Sequence, residues 1–177
     1  MKVYLDNAAT TTIDSEVFEA MIPVLKDGYG NPSSSHFHGR KSKSIIERAR
    51  KNIAKHLNCS PGEIIFTSGG TEADNMAIHC AVNNLGVKHI VTSRIEHHAV
   101  GYTVEKMKSE GLVDLTYVHI DEKGHIDLQH LDQILATRPK TLVSLMHANN
   151  EIGNLLPIEL VSEICEKHGA IFHSDTV

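Results

Sequence analysis

From residue 63 onward, short apolar runs alternate with helix-period segments, and that alternation leaves this chain few architectures to fold into. Thr141-Leu-Val-Ser-Leu-Met146 is almost entirely apolar, as a strand buried on both faces must be. His89-Ile-Val-Thr-Ser93, residues 115–120, Glu63-Ile-Ile-Phe66 and a last strand beginning at Ala170 read the same way. Between them, apolar positions recur at helical spacing. Ala73, Ala77, Cys80 and Ala81 mark one face; Val100, Val104 and Met107 mark another in a helix near 98–110; Leu128, Leu131, Ile134 and Leu135 mark a third over 127–136. Ile158, Val161, Ile164, Cys165 and His168 share a fourth face, opened by Pro157 in the first turn and closed by Gly169. Upstream, Ile46, Ala49, Ile53 and Leu57 mark a further helix, which Ser60-Pro61-Gly62 breaks. The pattern predicts an α/β fold: a mostly parallel sheet with helices on both faces.

In an open parallel sheet, ligands bind beyond the carboxyl ends of the strands, so the residues that follow each strand are read together. The run Glu63–Phe66 leads into Thr67-Ser-Gly-Gly-Thr71 and then a helix, the arrangement of an anion seat: glycines let backbone N–H groups approach, and the helix N-terminus adds its positive dipole end. Neither a Gly-Lys-Ser/Thr ending nor a full G-x-G-x-x-G is present, so a phosphate on some other cofactor fits better than a nucleotide. The same residues also describe an ordinary turn with a Ser or Thr cap. Glu96-His97-His98 follows the second strand, His147-Ala-Asn-Asn-Glu151 the strand 141–146, and Asp175 the last strand. Singly these are a helix start, an Asx turn and an N-cap. Together they offer an anion seat, a flat ring, an amide and a carboxylate at one rim, the parts that hold a phosphorylated heteroaromatic ring whose nitrogen stays protonated. Pyridoxal phosphate meets that description.

Composition removes other readings. Over 177 residues, 17 basic side chains face 22 acidic ones for a net charge of -5, which argues against nucleic acid and acidic membrane surfaces as partners. No stretch approaches about 18 consecutive apolar residues, and Met1-Lys-Val-Tyr-Leu-Asp6 lacks a signal peptide's apolar region, so a soluble, cytoplasmic protein is expected. Cys59, Cys80 and Cys165 form no C-x-x-C pair, and the latter two sit on helix faces expected to be buried. The 13 histidines include His36-x-His38 and His97-His98, but neither pair has metal-ligand spacing, and no metal site is expected.

Six motifs then carry a resemblance: Tyr4-Leu-Asp-Asn-Ala-Ala-Thr-Thr11, Gly30-Asn-Pro-Ser-Ser34, Phe66-Thr-Ser-Gly-Gly-Thr-Glu72, Glu96-His97, Asn149-Asn-Glu-Ile-Gly153 and His173-Ser-Asp175. In this order, over essentially the whole chain, they resemble the amino-terminal half of a cysteine desulfurase of the NifS/IscS group, class V, fold-type I pyridoxal phosphate enzymes. The resemblance implies that Gly70 and Thr71 hold the cofactor phosphate, His97 stacks on the ring and serves catalysis, Asn150 bonds the ring's phenolic oxygen and Asp175 pairs with the pyridinium nitrogen. It places Ala8, Ala9 and Thr10 near the substrate amino acid. It implies a partial large domain over 1–177, with an N-terminal segment to about residue 45 and the small domain absent. The family's Schiff-base Lys, persulfide-forming Cys and substrate-binding Arg fall beyond Val177, so the chain is expected to be inactive by itself. Further implications are L-cysteine as substrate, a sulfur acceptor or scaffold protein as partner, a homodimer, and sulfur supply to iron–sulfur clusters. Another class V enzyme, such as a selenocysteine lyase or an aminotransferase, and a non-catalytic folding or interaction fragment are the alternatives.

Overall fold

The computed structural model describes every residue of the chain except Pro139. It divides into two compact units, Met1–Phe66 and Thr67–Val177.

In the first unit, helix α1 (Ser15–Asp27) is capped by the Asp14 carboxylate, which accepts from the N–H groups of Glu16 and Val17, and it buries none of its residues. Helix α2 (Phe37–His56) ends before a single 3-10 turn at Pro61–Glu63. A capping box closes that turn: the Glu63 carboxylate accepts from Ser60 N–H at 2.6 Å, and the Ser60 hydroxyl accepts from Gly62 N–H. One expectation fails here. Residues 64–66 form no ladder; instead the Arg50 Nε donates to the Ile64 carbonyl at 3.2 Å, and its guanidinium lies 5.0 Å from the Phe66 ring centre. A side chain thus satisfies the carbonyl that a neighbouring strand would have used. The stripe Ile46, Ala49, Ile53 and Leu57 marks α2 as expected, but the residues that α2 buries are Gly39, Ser42 and Ala54, and Ile53 and Leu57 are exposed. The described residues of this unit contain no strand, and so no second layer for that stripe.

The second unit is the expected α/β body. In chain order it holds α3 (Gly70–Asn83), β1 (His89–Thr92), α4 (His98–Ser109), β2 (Asp114–Tyr117), α5 (Leu128–Thr137), β3 (Thr141–Ser144), α6 (Ile158–His168) and β4 (Ile171–His173). The four strands form a fully parallel sheet in the order β2-β1-β3-β4. Successive side chains of β1 and β3 point to opposite faces, and each face has its own core. Ile90 and Leu142 pack with Ile78, Val82, Val100, Val104 and Met107 from α3 and α4. Val91 and Val143 pack with Leu131, Leu135, Val161 and Cys165 from α5 and α6. Full burial of each such side chain contributes about 1.5–3 kcal/mol, which is why the all-apolar centre of the sheet stays covered on both sides. Gly169 ends α6 in the left-handed region, φ 64°, where a side chain would be strained. Cys165 is buried as expected, but Cys80 is exposed; Ile78 takes the inward position of α3. Among the described residues, no helix is long and apolar enough to cross a membrane.

Candidate functional site

Parallel strands place all their carboxyl ends on one edge of the sheet, and the expected site residues of the second unit gather from the loops there. Gly70 and Thr71 open α3, His97 precedes α4, Asn150 lies in the turn after β3, and Asp175 follows β4. Ala8, Ala9 and Thr10 belong to the first unit, where the Tyr4 hydroxyl bridges the Asp6 carbonyl and the Thr10 hydroxyl.

The turn before α3 is closed by its own side chains. The Glu72 carboxylate accepts from the Ser68 hydroxyl and the Ser68 N–H, both at 2.6 Å, and these bonds hold its pKa below the usual carboxylate range. Gly69 caps the helix without a side-chain bond, and the first intrahelical N–H is that of Ala73, bonded to the Gly69 carbonyl. The N–H groups of Gly70, Thr71 and Glu72 therefore have no acceptor among the described residues. The Gly69 φ of 168° is ordinary extended backbone. Gly70 matters for space: a Cβ there would lie 2.5 Å from a methyl group of Val177.

Asp175 is buried, and one carboxylate oxygen accepts from Val177 N–H at 3.1 Å, while Oδ2 has no donor among the described residues. Next to it, the Ser174 hydroxyl is buried without a partner. The two histidines at the start of α4 differ. His97 turns Nδ1 toward the Ala99 N–H at 3.2 Å as the helix cap, whereas the His98 ring stacks on Tyr102 at 4.8 Å. Asn150 is exposed, and its amide donates to the neighbouring Glu151 carboxylate at 3.3 Å.

Two residues of this rim, Asp74 and Asn75, were not singled out by pattern. Asp74, buried in α3, lies 3.4 Å from His173 Nε2, whose Nδ1 meets the Ser144 hydroxyl at 2.9 Å. Burial, and then the Asp175 charge, push the Asp74 pKa up; His173 and His97 pull it back. Burial lowers the His173 pKa, with Asp74 and Asp175 opposing. Asn75 ties α3 to α4: its amide donates to the Thr71 and Ala99 carbonyls, and its oxygen accepts from the Thr103 hydroxyl at 2.7 Å. Glu96 is pushed up to about 7, chiefly by burial, although the Ser93 hydroxyl and Met146 N–H both donate to it. It lines a cavity of about 130 Å³ with Asn149, Leu145 and Leu156. No group of three or more His, Cys, Asp or Glu side chains among the described residues is arranged to hold a metal ion.

Open N–H groups at a helix start, a buried carboxylate with one oxygen free and a histidine fixed beside them fit a ring that carries a phosphate at one end and a protonated nitrogen at the other.

The aminotransferase class-V family matches residues 3–177 of the chain. A relative named cysteine desulfurase IscS, from Dictyoglomus turgidum, is 46% identical over 178 residues, 99% of this chain and 45% of the relative. Among solved structures, a NifS-like protein superposes with a TM-score of 0.92 at 38% identity, covering 100% of this chain and 49% of its own. A second, described as SspA in complex with cysteine, gives 0.88 at 36% identity, covering 97% and 49%. The chain spans about half the length of the relatives it matches.

Proposed function

Because the chain belongs to the aminotransferase class-V family, we propose that it forms the cofactor-holding part of a pyridoxal phosphate-dependent cysteine desulfurase. The activity of the whole enzyme is removal of sulfur from L-cysteine to give L-alanine and an enzyme-bound persulfide, passed to an acceptor or scaffold protein for iron–sulfur clusters. The single observation that carries this reading is the convergence of Gly70, Thr71, His97, Asn150 and Asp175 on one edge of a parallel sheet, in the family's motif order. The names of the relatives, and the cysteine in the description of one neighbour, support the substrate.

When bound, the cofactor supplies an electron sink for carbanion chemistry at the amino acid. The chain's own residues do the holding. The free N–H groups of Gly70 and Thr71, with the Thr71 hydroxyl, receive the phosphate. Asp175 directs its free oxygen at the ring nitrogen and keeps a proton there. His97, fixed by its cap bond, presents a ring face, and Asn150 donates to the phenolic oxygen. Ala8, Ala9 and Thr10 are included as substrate-proximal on the resemblance alone. The chain by itself does not turn over cysteine, the assembled enzyme is a homodimer, and it works in the cytoplasm. Titration of the chain with pyridoxal phosphate tests the reading. Saturable one-to-one binding is expected, weakened about tenfold or more by Asp175→Ala, with no alanine released from cysteine. Binding indifferent to Asp175→Ala, or turnover by the chain alone, would overturn it.

A further inference from the structure

Two loops carry the ring-holding residues: Ser93–His97 after β1 and Leu145–Asn150 after β3. Adjacent parallel strands fix only the start of such loops, and their tips must be held by other bonds. Here two side chains do so, each immediately preceding a residue of the cofactor site. The Glu96 Oε2 accepts from the Met146 N–H of the β3 loop at 2.9 Å, while Oε1 accepts from the Ser93 hydroxyl at 2.5 Å. In return the Asn149 amide donates to the Ile95 carbonyl of the β1 loop at 2.7 Å. The Asn149 oxygen also accepts from the N–H groups of Glu151 and Ile152, at 2.8 and 3.0 Å, which shapes the turn around Asn150. Asn149 is buried. On its other side the β3 loop is bonded to the β4 end through His147 N–H to the Asp175 carbonyl, 2.8 Å.

We propose that Glu96 and Asn149 are positioning residues that clamp the β1 and β3 loops together and so set the His97 ring and the Asn150 amide in register with Asp175. The proposal rests on the cofactor reading above. Neither residue holds the ring itself; each acts through its chain neighbour. The clamp survives a change in Glu96 ionisation: a protonated carboxyl accepts from Met146 through its carbonyl oxygen and donates its proton to the Ser93 hydroxyl. A glutamine offers the same pair of groups, one acceptor and one donor, whereas alanine removes both bonds and leaves the Met146 N–H unpaired.

The test is a titration of the full 177-residue chain with pyridoxal phosphate, alongside amide exchange at Met146. Relative to the unsubstituted chain, Glu96→Ala is expected to raise Kd about tenfold and to speed Met146 exchange; Glu96→Gln should stay within about twofold on both. If Glu96 works through His97, the doubly substituted Glu96→Ala/His97→Ala chain binds no more weakly than His97→Ala alone. Full additivity overturns the positioning role, because a merely structural loss would add. Faster Met146 exchange with unchanged binding also overturns it. Where Glu96→Ala does not fold, Ser93→Ala carries the test by removing the hydroxyl's bond to Glu96 together with the one it accepts from the Ile95 N–H; about a threefold rise in Kd is expected, and no change overturns the role. Absence of binding by the unsubstituted chain is a different failure: it sinks the cofactor reading itself, and the clamp's purpose with it.

Discussion

His97 and His98 share a helix start and differ only in their neighbours. The His98 ring is stacked on Tyr102, while His97 is pinned through Nδ1, its ring 6.0 Å from that of His98 and tilted 42° to it. In the assembled enzyme, His97→Ala is expected to lower kcat/KM on the order of 10²-fold and His98→Ala by no more than about threefold. Steady-state kinetics decides, and equal losses would mean that the wrong histidine carries the role. Asp175→Asn keeps an oxygen for the Val177 N–H but cannot retain the charge, so kcat should fall on the order of 10²-fold or more while the melting temperature barely moves. Near-native turnover with cofactor bound would refute the assignment. Glu96 gives a stability signature. Its pKa in the fold, about 7, stands above the ordinary value of 4.5, so the folded state binds the proton more tightly than the unfolded chain. The stabilisation is full below pH 4.5 and is lost as pH rises toward 7, by at most about 3 kcal/mol. Asp74 acts in the same direction, and His173, with its lowered pKa, costs stability as pH falls through its ordinary value of 6.5. Glu96→Gln carries no titrating group there and should gain on the unsubstituted chain between pH 5 and pH 7.5 in urea denaturation. Parallel pH profiles for the two would contradict this.

At the scale of elements, α3 and α4 are joined at the site by Asn75, which bonds two carbonyls and one hydroxyl across the helix pair. Asn75→Ala removes these bonds and leaves the Thr103 hydroxyl its bond to the Ala99 carbonyl, a loss of about 1–3 kcal/mol in urea denaturation. A change within a few tenths would show that water replaces the amide. How much of these elements could be read beforehand follows from what periodicity measures. α4, α5 and α6 were legible because Val100, Val104, Met107, Leu131, Leu135, Val161 and Cys165 recur on one face and each face meets the sheet. The strand expected over 63–66 was misread because a run of apolar residues does not say what covers it. Cys80 shows the same limit: it shares the spacing of Ala77 and Ala81 yet lies outside. α1 was passed over, although Val17, Phe18, Met21, Ile22 and Leu25 carry helical spacing. At the site, His97, Asn150 and Asp175 stood out as polar residues directly after strands. Asp74 and Asn75 did not, because their parts depend on partners 24 to 99 residues away in sequence.

The whole molecule is uneven in how much apolar surface it buries. The α/β unit closes two cores, but α1 leaves Val17, Phe18, Met21, Ile22 and Leu25 between 39% and 76% exposed, at spacings that bring them onto one side of the helix. A contiguous apolar face of this kind is costly in water and marks a surface that another surface covers. Scattered exposed residues would need no such account; five on one helix side do. The homodimer proposed for the assembled enzyme supplies the expectation that the isolated chain associates. Sedimentation velocity at micromolar concentration should therefore show a species heavier than the 19.5 kDa monomer. The double substitution Phe18→Glu/Leu25→Glu should shift it toward the monomer, since burying two carboxylates without partners costs several kcal/mol, while helical circular dichroism stays unchanged because α1 buries nothing in its own fold. A compact monomer that unfolds cooperatively before any substitution would mean that the α1 face is tolerated in solution. Association that persists after the substitution would move the contact to another surface of the chain.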